Sequence, residues 1–358
     1  MAILELNHSQ AISSNRMVAL VRARYGTPDM LKFATLAQPT PKPHEIVVRV
    51  VASTVTSGDR RVRSMDVPNG FRTLGRLALG WHGPRNAVLG ATFAGVVTSA
   101  GQRAHGFKCG DAVFGISGFR MGAHAEYICV SAKSAVAYKP EHLLFEQAAA
   151  IPFSGGTALY FLRRAELRPG ETILVNGAAG NVGMATVQLA SIMGGTVTGV
   201  CSAGDLAQVR ALGATRVIEY EQQDFTASGR RYDVVFDTAC NHPVARCLQV
   251  LNPGGRLIRL LSDLPEIIRA KLQPKRATRH VIAGTAKERG DHLNYLSDLV
   301  GQGLYRPVIA KVFPFGQAVE AHRYADSPTQ RGSVVIKMNV SAPQAAREPR
   351  NAPLASQS

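Results

Sequence analysis

Cysteine is scarce in this sequence and scattered along it. The five cysteines are Cys109, Cys129, Cys201, Cys240 and Cys247. Their number is odd and no two form a Cys-x-x-Cys pair, which argues against both a disulfide framework and a clustered zinc site. We therefore expect a protein of a reducing compartment.

Long apolar runs are missing as well. No run approaches the roughly 18 residues that a membrane span needs, so we expect no span. The segment MAILELNHSQ contains an acidic residue and no basic one, whereas a signal peptide begins with positive charge. These two absences favour a cytoplasmic protein.

Acidic residues are few, with 25 Asp and Glu against 41 Lys and Arg and a formal net charge of +16. The excess lies outside residues 140–302, which hold 17 basic and 15 acidic residues. The densest basic group is Arg60, Arg61, Arg63, Arg72, Arg76 and Arg85. Aromatic residues do not alternate with these arginines as in a single-strand-binding face, so nucleic acid is a partner that we do not favour. A solvated surface, or a field that attracts an anionic cofactor or substrate, fits better.

The clearest motif runs from Thr172 to Met184, TILVNGAAGNVGM. A short β-branched strand ends in glycines, and apolar residues at helical spacing follow from Val182. Read as Ala178-x-Gly180-x-x-Gly183, the turn is a dinucleotide fingerprint with alanine in first place. TVTGVC, about twenty residues later, predicts the next strand of a βαβ unit. Strand, glycine turn and helix together form a binding site for a pyrophosphate.

The end of that second strand indicates which cofactor is bound. NAD sites usually place Asp or Glu there to bind the ribose 2′-hydroxyl, but here the chain reads VCSAG over residues 200–204. Ser202 is small enough to leave room for a 2′-phosphate, and we expect Arg210 and Tyr220 to lie near it, with a solvated helix residue as the alternative for Arg210. We therefore predict NADPH rather than NADH, although Asp205 argues the other way because its charge would repel a phosphate.

The chain changes character at residue 139. After an extension of residues 1–16, residues 17–139 show short strands between glycine and proline turns, which predicts a mostly antiparallel β domain. Residues 140–302 alternate strands with helices, as in a doubly wound parallel sheet. Residues 303–340 return to strands that rejoin the first domain. Residues 341–358 are rich in Pro, Ala and Ser, which predicts a disordered tail.

Taken in order, the motifs resemble the medium-chain dehydrogenase/reductase superfamily and, within it, the zinc-free quinone-oxidoreductase-like group that uses NAD(P)H. The motifs are RARYGTPDML, GDRRVRS, VLGATFAGVV, CGDAVFG, GAHAEY, IPFSGGTALY, RPGETILVNGAAGNVG, ALGATRVIEY and YDVVFDT. The resemblance covers most of residues 17–338. It implies an α/β fold in which a Rossmann domain with a doubly wound parallel sheet is inserted into a GroES-like, mostly antiparallel β domain. It also implies NADPH in the cleft between the domains, and a homodimer.

The zinc ligands of the metal-dependent members of this superfamily are absent. The matching positions read Thr56-Ser57 and Gly90-Ala91-Thr92, so we predict no metal site. Without zinc to polarise an alcohol, reduction of an electron-poor acceptor is favoured over alcohol oxidation.

The predicted function is zinc-independent transfer of hydride from NADPH to a quinone or an α,β-unsaturated carbonyl. Two alternatives stay open. One is an NAD(P)-dependent alcohol or enoyl-thioester oxidoreductase. The other is an NADPH-sensing protein that binds RNA or another partner with little turnover.

The resemblance places the active-site cleft next to residues 56–63. Thr56 stands where the group typically has Asn, and we predict that it hydrogen-bonds the substrate or the nicotinamide. Asp59 and Arg63 are the other catalytic candidates, with a structural ion pair between them as the alternative.

The resemblance also assigns residues to the cofactor. Thr157 is predicted to face the nicotinamide. The pyrophosphate is assigned to Gly180, Asn181, Val182 and Gly183, and the adenosine end to Ser202, Arg210 and Tyr220. The candidates at the carboxyl edge of the sheet are Thr238, Ala239, Leu260 and Leu261.

Overall fold

The computed structural model describes residues 15–66, 77, 80, 86–260, 262–272 and 278–338. Most of the predicted extension, the predicted tail and the cofactor candidate Leu261 lie outside these residues. The strands are β1 (Arg16–Arg22), β2 (Leu31–Ala37), β3 (Glu45–Val55), β4 (Thr92–Ala100), β5 (Ala112–Ile116), β6 (Tyr127–Ser131), β7 (Ala135–Tyr138), β8 (Thr172–Asn176), β9 (Thr196–Cys201), β10 (Arg216–Glu219), β11 (Tyr232–Asp237), β12 (Leu251–Arg259), β13 (Arg279–Ala283), β14 (Ile309–Pro314) and β15 (Ser333–Lys337). The helices are α1 (Ser57–Ser64), α2 (Phe145–Arg164), α3 (Asn181–Ile192), α4 (Leu206–Ala211), α5 (Val244–Gln249), α6 (Leu264–Leu272), α7 (Gly290–Gly301) and α8 (Ala318–Ala325).

The central strands form a parallel sheet in the order β10-β9-β8-β11-β12-β13. β8 lies in the interior and is buried from Ile173 to Asn176, as expected for a strand covered on both faces. The strand order runs outward from β8 in both directions, so a crevice opens at the carboxyl ends of β8 and β11. The predicted parallel sheet is confirmed.

Strands from both ends of the chain form a second sheet, in the order β14-β15-β3-β4-β5-β7, with β6 paired to β3. All of these pairs are antiparallel except β14 with β15. β14 and β15 follow the parallel sheet in the chain, yet they complete the sheet that begins with β3. The predicted α/β class, with a Rossmann unit inserted into a GroES-like unit, is confirmed. The exact domain boundaries stay a prediction.

The edge of the parallel sheet beyond β12 is β13. Two short strands were missed in the sequence reading. β2 and β7 were not predicted, and β2 pairs with β1 as a separate two-stranded sheet. Both strands are short, and the local pattern of side chains did not reveal them. Each is defined by its pairing with another segment of the chain.

Helix α2 joins the two units. It packs against β3 and β4 of the antiparallel sheet and against α3 and α7 of the Rossmann unit. Its buried apolar residues include Ala148 to Pro152 and, further along, Ala158, Leu159 and Leu162. The core is therefore continuous across the junction, and the two walls of the cleft are held by one helix.

Candidate active site

A cleft of about 940 Å³ lies between the two units. One wall consists of the start of α1 and the loops of the antiparallel sheet, and the other is the carboxyl edge of the parallel sheet. Eight of the residues predicted from the sequence line it: Thr56, Thr157, Gly180, Asn181, Val182, Gly183, Thr238 and Leu260. The structure thus brings together candidates that are up to 204 positions apart in the chain.

The glycine turn between β8 and α3 is tight because its backbone segments touch. A Cβ built on Gly183 would lie 2.1 Å from the carbonyl oxygen of Gly177, a distance that no side chain tolerates. Gly177 has a φ of +79°, and a Cβ there would lie 2.4 Å from Thr238 Oγ1. Gly180 precedes the first turn of α3, whose free N–H groups face the cleft and favour an anion.

Thr238 fixes the neighbouring strand end. Its hydroxyl donates to the carbonyl oxygen of Asn176 at 2.8 Å, which ties β11 to β8 at the crevice. The Asn176 side chain in turn donates to Asp237 Oδ1 at 2.8 Å. Ala239 follows Thr238 but is not among the residues that line the cleft, so its cofactor contact stays a prediction.

The adenosine-end candidates lie at the tip of β9, beyond the lined part of the cleft. Ser202 donates its hydroxyl to Asp205, and Asp205 Oδ2 also accepts from Arg331 Nε at 2.8 Å. Arg331 lies just before β15 and was not predicted from the sequence. Its charge offsets that of Asp205, the residue that argued against a 2′-phosphate.

Arg210 and Tyr220 surround the same strand tip. The Tyr220 N–H donates to the carbonyl oxygen of Cys201 at 3.2 Å. Burial raises the pKa of the Cys201 thiol to about 11, and the charge of Asp205 adds to this, while Arg210 and Arg331 oppose it. Two cations therefore lie near the strand end that the sequence assigned to the adenosine.

Thr56 and Asp59 form a capping box at the start of α1. Asp59 Oδ2 accepts from the Thr56 backbone N–H at 2.8 Å and from the Thr56 hydroxyl at 2.6 Å, and Asp59 Oδ1 accepts from the Gly90 N–H at 2.7 Å. Asp59 is fully buried. Thr56 lines the cleft, but its hydroxyl donates to Asp59 Oδ2 and accepts from the Asp59 N–H at 3.2 Å, so toward the cleft it offers at most one lone pair and its methyl group.

Arg63 pairs with a different acid from the one proposed. The alternative of an ion pair between Asp59 and Arg63 is wrong: the guanidinium of Arg63 contacts Asp326 and donates to His322 Nδ1 at 3.0 Å. Asp59, in the first turn of α1, is committed to Thr56 and to the Gly90 N–H, whereas Arg63, in the last turn, reaches residues of α8 and the segment after it. Neither residue is among those that line the cleft.

Arg63 starts a buried chain of hydrogen bonds that joins α1, α8 and β3. Because a guanidinium only donates, His322 Nδ1 accepts and its Nε2–H donates to His124 Nδ1 at 3.3 Å. The Nε2–H of His124 then donates to the carbonyl oxygen of Thr54 at 3.4 Å. Burial lowers the pKa of both histidines, well below the ordinary value for His322, and both are neutral in this arrangement.

These two histidines predict acid sensitivity. Unfolded histidine binds a proton near pH 6.5, whereas the folded pair resists it, so the unfolded state gains protons as the pH falls below that value. We expect the free energy of unfolding to fall by up to about 2.7 kcal/mol per pH unit below pH 6.5 from these residues. Urea unfolding at pH 7.5 and 5.5 measures this. The variant H322Q should reduce the pH dependence of the free energy of unfolding, and H44Q, at an exposed position, should not. If wild type, H322Q and H44Q lost the same free energy between the two pH values, the buried histidines would not be the cause.

Two arginines of the basic group also face the cleft. Arg60 and Arg61 line it, and neither forms an ion pair with any acid in the part of the chain that the structure describes. Burial lowers the pKa of Arg61, and the charge of Arg60 adds to this effect. Arg61 lies near Cys240, which follows β11. It thus brings positive charge from α1 toward the carboxyl end of β11. Arg72, Arg76 and Arg85 lie outside the described residues.

The segment after β13 supplies a cleft wall that sequence reasoning missed. Gly284, Thr285, Ala286, Lys287, Glu288, Arg289, His292 and Leu293 all line the cleft. No feature of the sequence indicates this role, because the segment carries no motif and becomes part of the wall only when β13 completes the sheet.

Within the described ranges, no three His, Cys, Asp or Glu side chains gather in an arrangement that could hold a metal ion. No helix in the described part of the chain combines the length and apolar character that a membrane crossing requires.

Comparison with known proteins agrees with this architecture. The alcohol dehydrogenase GroES-like domain family matches residues 42–141, and the zinc-binding dehydrogenase family matches residues 212–336. The chain is 30% identical to the 2-methylene-furan-3-one reductase of Solanum lycopersicum over 347 residues, which cover 94% of this chain and 82% of that protein. It is 30% identical to the chloroplastic NADPH-dependent alkenal/one oxidoreductase of Arabidopsis thaliana, with 89% and 79% covered.

Among solved structures, the quinone oxidoreductase from Coxiella burnetii superposes with a TM-score of 0.80 at 29% identity, covering 90% of this chain and 99% of that one. The similarities extend across both units and the cleft between them, and the resemblance inferred from the motifs is confirmed. The chain belongs to the medium-chain dehydrogenase/reductase superfamily, in its quinone-oxidoreductase-like group.

Proposed function

We propose that this protein is a zinc-independent, NADPH-dependent reductase that transfers hydride to quinones or α,β-unsaturated carbonyls. The observation that carries the proposal is the single cleft lined both by the glycine turn of α3 and by an apolar wall that includes Ile116, Phe119 and Phe153. The relatives named as alkenal/one, furanone and quinone reductases support it.

The residues present fit a dinucleotide. Because Gly183 has no side chain, the first turn of α3 lies against Gly177 and its N–H groups stay available to an anion. Arg60 and Arg61 add positive charge to the same cleft. Thr157, Thr238 and Leu260 would hold the nicotinamide half against the sheet edge. When bound, NADPH supplies a hydride, and the protein orients the acceptor beside it and excludes water.

NADPH is favoured over NADH by the tip of β9. Asp205, the acid that follows β9, is engaged by Ser202 and Arg331 and so is not poised to bind a 2′-hydroxyl. A 2′-phosphate would instead meet Arg331 and Arg210.

The variant Arg331→Leu should therefore raise the Kd for NADPH about tenfold, since a hydrogen bond to a charged group contributes about 1.5–3 kcal/mol. The Kd for NADH should change less than threefold. Fluorescence titration with both nucleotides measures this. The control is Arg323→Leu, at an exposed position of α8. Equal losses for both nucleotides would show that Arg331 acts on the fold and not on the phosphate.

The substrate side is proposed to be mainly apolar, with Thr56 among the polar groups at the start of α1. Asp59 and Arg63 are proposed to hold Thr56 and α1 in place. The direct test is NADPH consumption by chelator-treated protein with a panel of quinones and enones. Turnover without added zinc is expected, and NADPH binding without turnover of any acceptor would favour the sensor alternative.

A second candidate acceptor is an enoyl thioester of a phosphopantetheine carrier. Arg60 and Arg61 favour it, because unpaired cations on the cleft would complement the phosphates of such a substrate. Comparing kcat/KM for a crotonyl thioester and for a neutral enone of equal chain length separates the two.

A homodimer and a cytoplasmic location are also proposed. The edge strand β13 is the segment available for pairing across a two-fold axis. A monomer mass over a wide concentration range in gel filtration would rule out the dimer.

A further inference from the structure

One carboxylic acid stands out among the described residues that line the cleft. Glu288, on the segment after β13, is the sole Asp or Glu of that wall. Its side chain makes no hydrogen bond or ion pair with any residue in the described ranges, whereas neighbouring Arg289 is held by Asp291 at 2.8 Å. A carboxyl group that faces a substrate cleft without a partner of its own is free to act on what binds there.

The position of Glu288 depends on the opposite wall. A Cβ built on Gly118 would lie 2.5 and 2.7 Å from the two carboxyl oxygens, so the glycine leaves the space that the carboxyl occupies. Gly118 follows β5 of the antiparallel sheet, and Glu288 follows β13 of the parallel sheet. The carboxyl therefore spans the cleft beside the apolar residues Phe119 and Met121.

The surroundings raise the proton affinity of this carboxyl. Burial raises the pKa of Glu288 above its ordinary value, although the side chain stays accessible to solvent from the cleft. The cations on adjoining segments are Arg120, Lys287 and Arg289. Arg120 lies 3.5 Å from Glu45 and Arg289 is bound to Asp291, so neither is paired with Glu288. On α7, burial lowers the pKa of His292, which keeps that ring neutral.

We propose that Glu288 donates the proton that completes the reduction of an α,β-unsaturated carbonyl in this cleft, an inference that rests on the proposed reductase function. Hydride transfer, which NADPH would supply when bound, would form the C–H bond at the β-carbon as the C4–H bond of the nicotinamide breaks, and the electrons of the C=C bond would move to the carbonyl oxygen to give an enolate. The O–H bond of Glu288 then breaks as its proton forms the C–H bond at the α-carbon. The carboxylate regains a proton from water at the cleft opening, which its exposure permits.

Quinones provide an internal control for this role. Their reduction ends with protonation of an oxygen, which water performs rapidly, whereas protonation of carbon is slow and benefits from a positioned acid. Loss of the donor should therefore affect enones and spare quinones.

The test compares wild type with E288Q, and with E141Q as a matched control at an exposed position away from the cleft. We expect E288Q to lower kcat for an α-methyl enone at least tenfold, to leave quinone kcat within twofold, and to reduce the enantiomeric excess at the α-carbon, because water then protonates both faces. E141Q should match wild type in all three measurements.

A second readout needs no cofactor. Carbon NMR titration of the free protein should show a glutamate carboxyl that titrates above the ordinary value of about 4.3 and is missing in E288Q. Unchanged enone kcat and stereochemistry in E288Q would overturn the proposal, as would loss of stereochemistry in K287Q or H292Q instead. Wild-type protein that binds NADPH but reduces neither class of acceptor would contradict the reductase function itself, and the titration would still report on the carboxyl.

Discussion

Replacing Gly183 by valine should abolish useful cofactor binding, raising the Kd for NADPH at least about 100-fold, which corresponds to about 2.7 kcal/mol. The cause is steric. The new Cβ would lie 2.1 Å from the carbonyl oxygen of Gly177, and this backbone atom cannot move without opening the turn between β8 and α3. The N–H groups at the start of α3 would then no longer converge on the pyrophosphate.

Fluorescence titration with NADPH measures this effect, and circular dichroism checks that the sheet survives. Gly316→Ala is the control, since a Cβ there meets nothing within 4 Å. A folded Gly183→Val protein that binds NADPH within threefold of wild type would refute the proposed position of the pyrophosphate.

Asp59→Ala should lower the free energy of unfolding by about 3 kcal/mol or more. Asp59 is fully buried, and its carboxylate accepts from two N–H groups and one hydroxyl. Removing it leaves these donors buried without acceptors, at about 1–3 kcal/mol each. Urea unfolding followed by circular dichroism measures the loss.

Asp298→Ala, at an exposed position of α7, should change the free energy of unfolding by less than about 0.5 kcal/mol. The comparison also separates the two roles considered for Asp59. A catalytic group would leave stability unchanged and remove turnover, so a fully stable but inactive Asp59→Ala protein would contradict the structural role.

Local patterns in the sequence were sufficient for the parallel sheet and its glycine turn. A β-branched strand, glycines at fixed spacing and apolar residues at helical spacing are properties of neighbouring residues, so TILVNGAAGNVGM predicted β8 and the start of α3 closely. The strand TVTGVC matches β9 residue for residue.

Such local patterns do not predict side-chain contacts between residues that are far apart in the chain. Arg63 was expected to pair with Asp59, four residues away, but it binds Asp326 and His322, more than 250 residues away. Arg331 reaches Asp205 in the same manner. The contacts of Arg63 arise because α8 returns to the first unit, and that of Arg331 because the segment before β15 lies beside the tip of β9. No local periodicity records which side chains then meet.

Glu288 was missed for a related reason. An acid in a loop without a motif resembles any solvated residue, and its place on the cleft follows only from the space left by Gly118 on the opposite wall. For Thr56, in contrast, the sequence predicted the position on the cleft. It did not predict that the Thr56 hydroxyl donates to Asp59.

The most direct test of the reductase function is transfer of deuterium. Chelator-treated protein would be incubated with NADPH deuterated at C4 and an α,β-unsaturated ketone, and the product examined by mass spectrometry and NMR. The cleft geometry predicts a saturated ketone with one deuterium on the β-carbon and no requirement for added zinc. Absence of product, or product formed without deuterium at that carbon from either C4 position, would contradict the proposed hydride transfer.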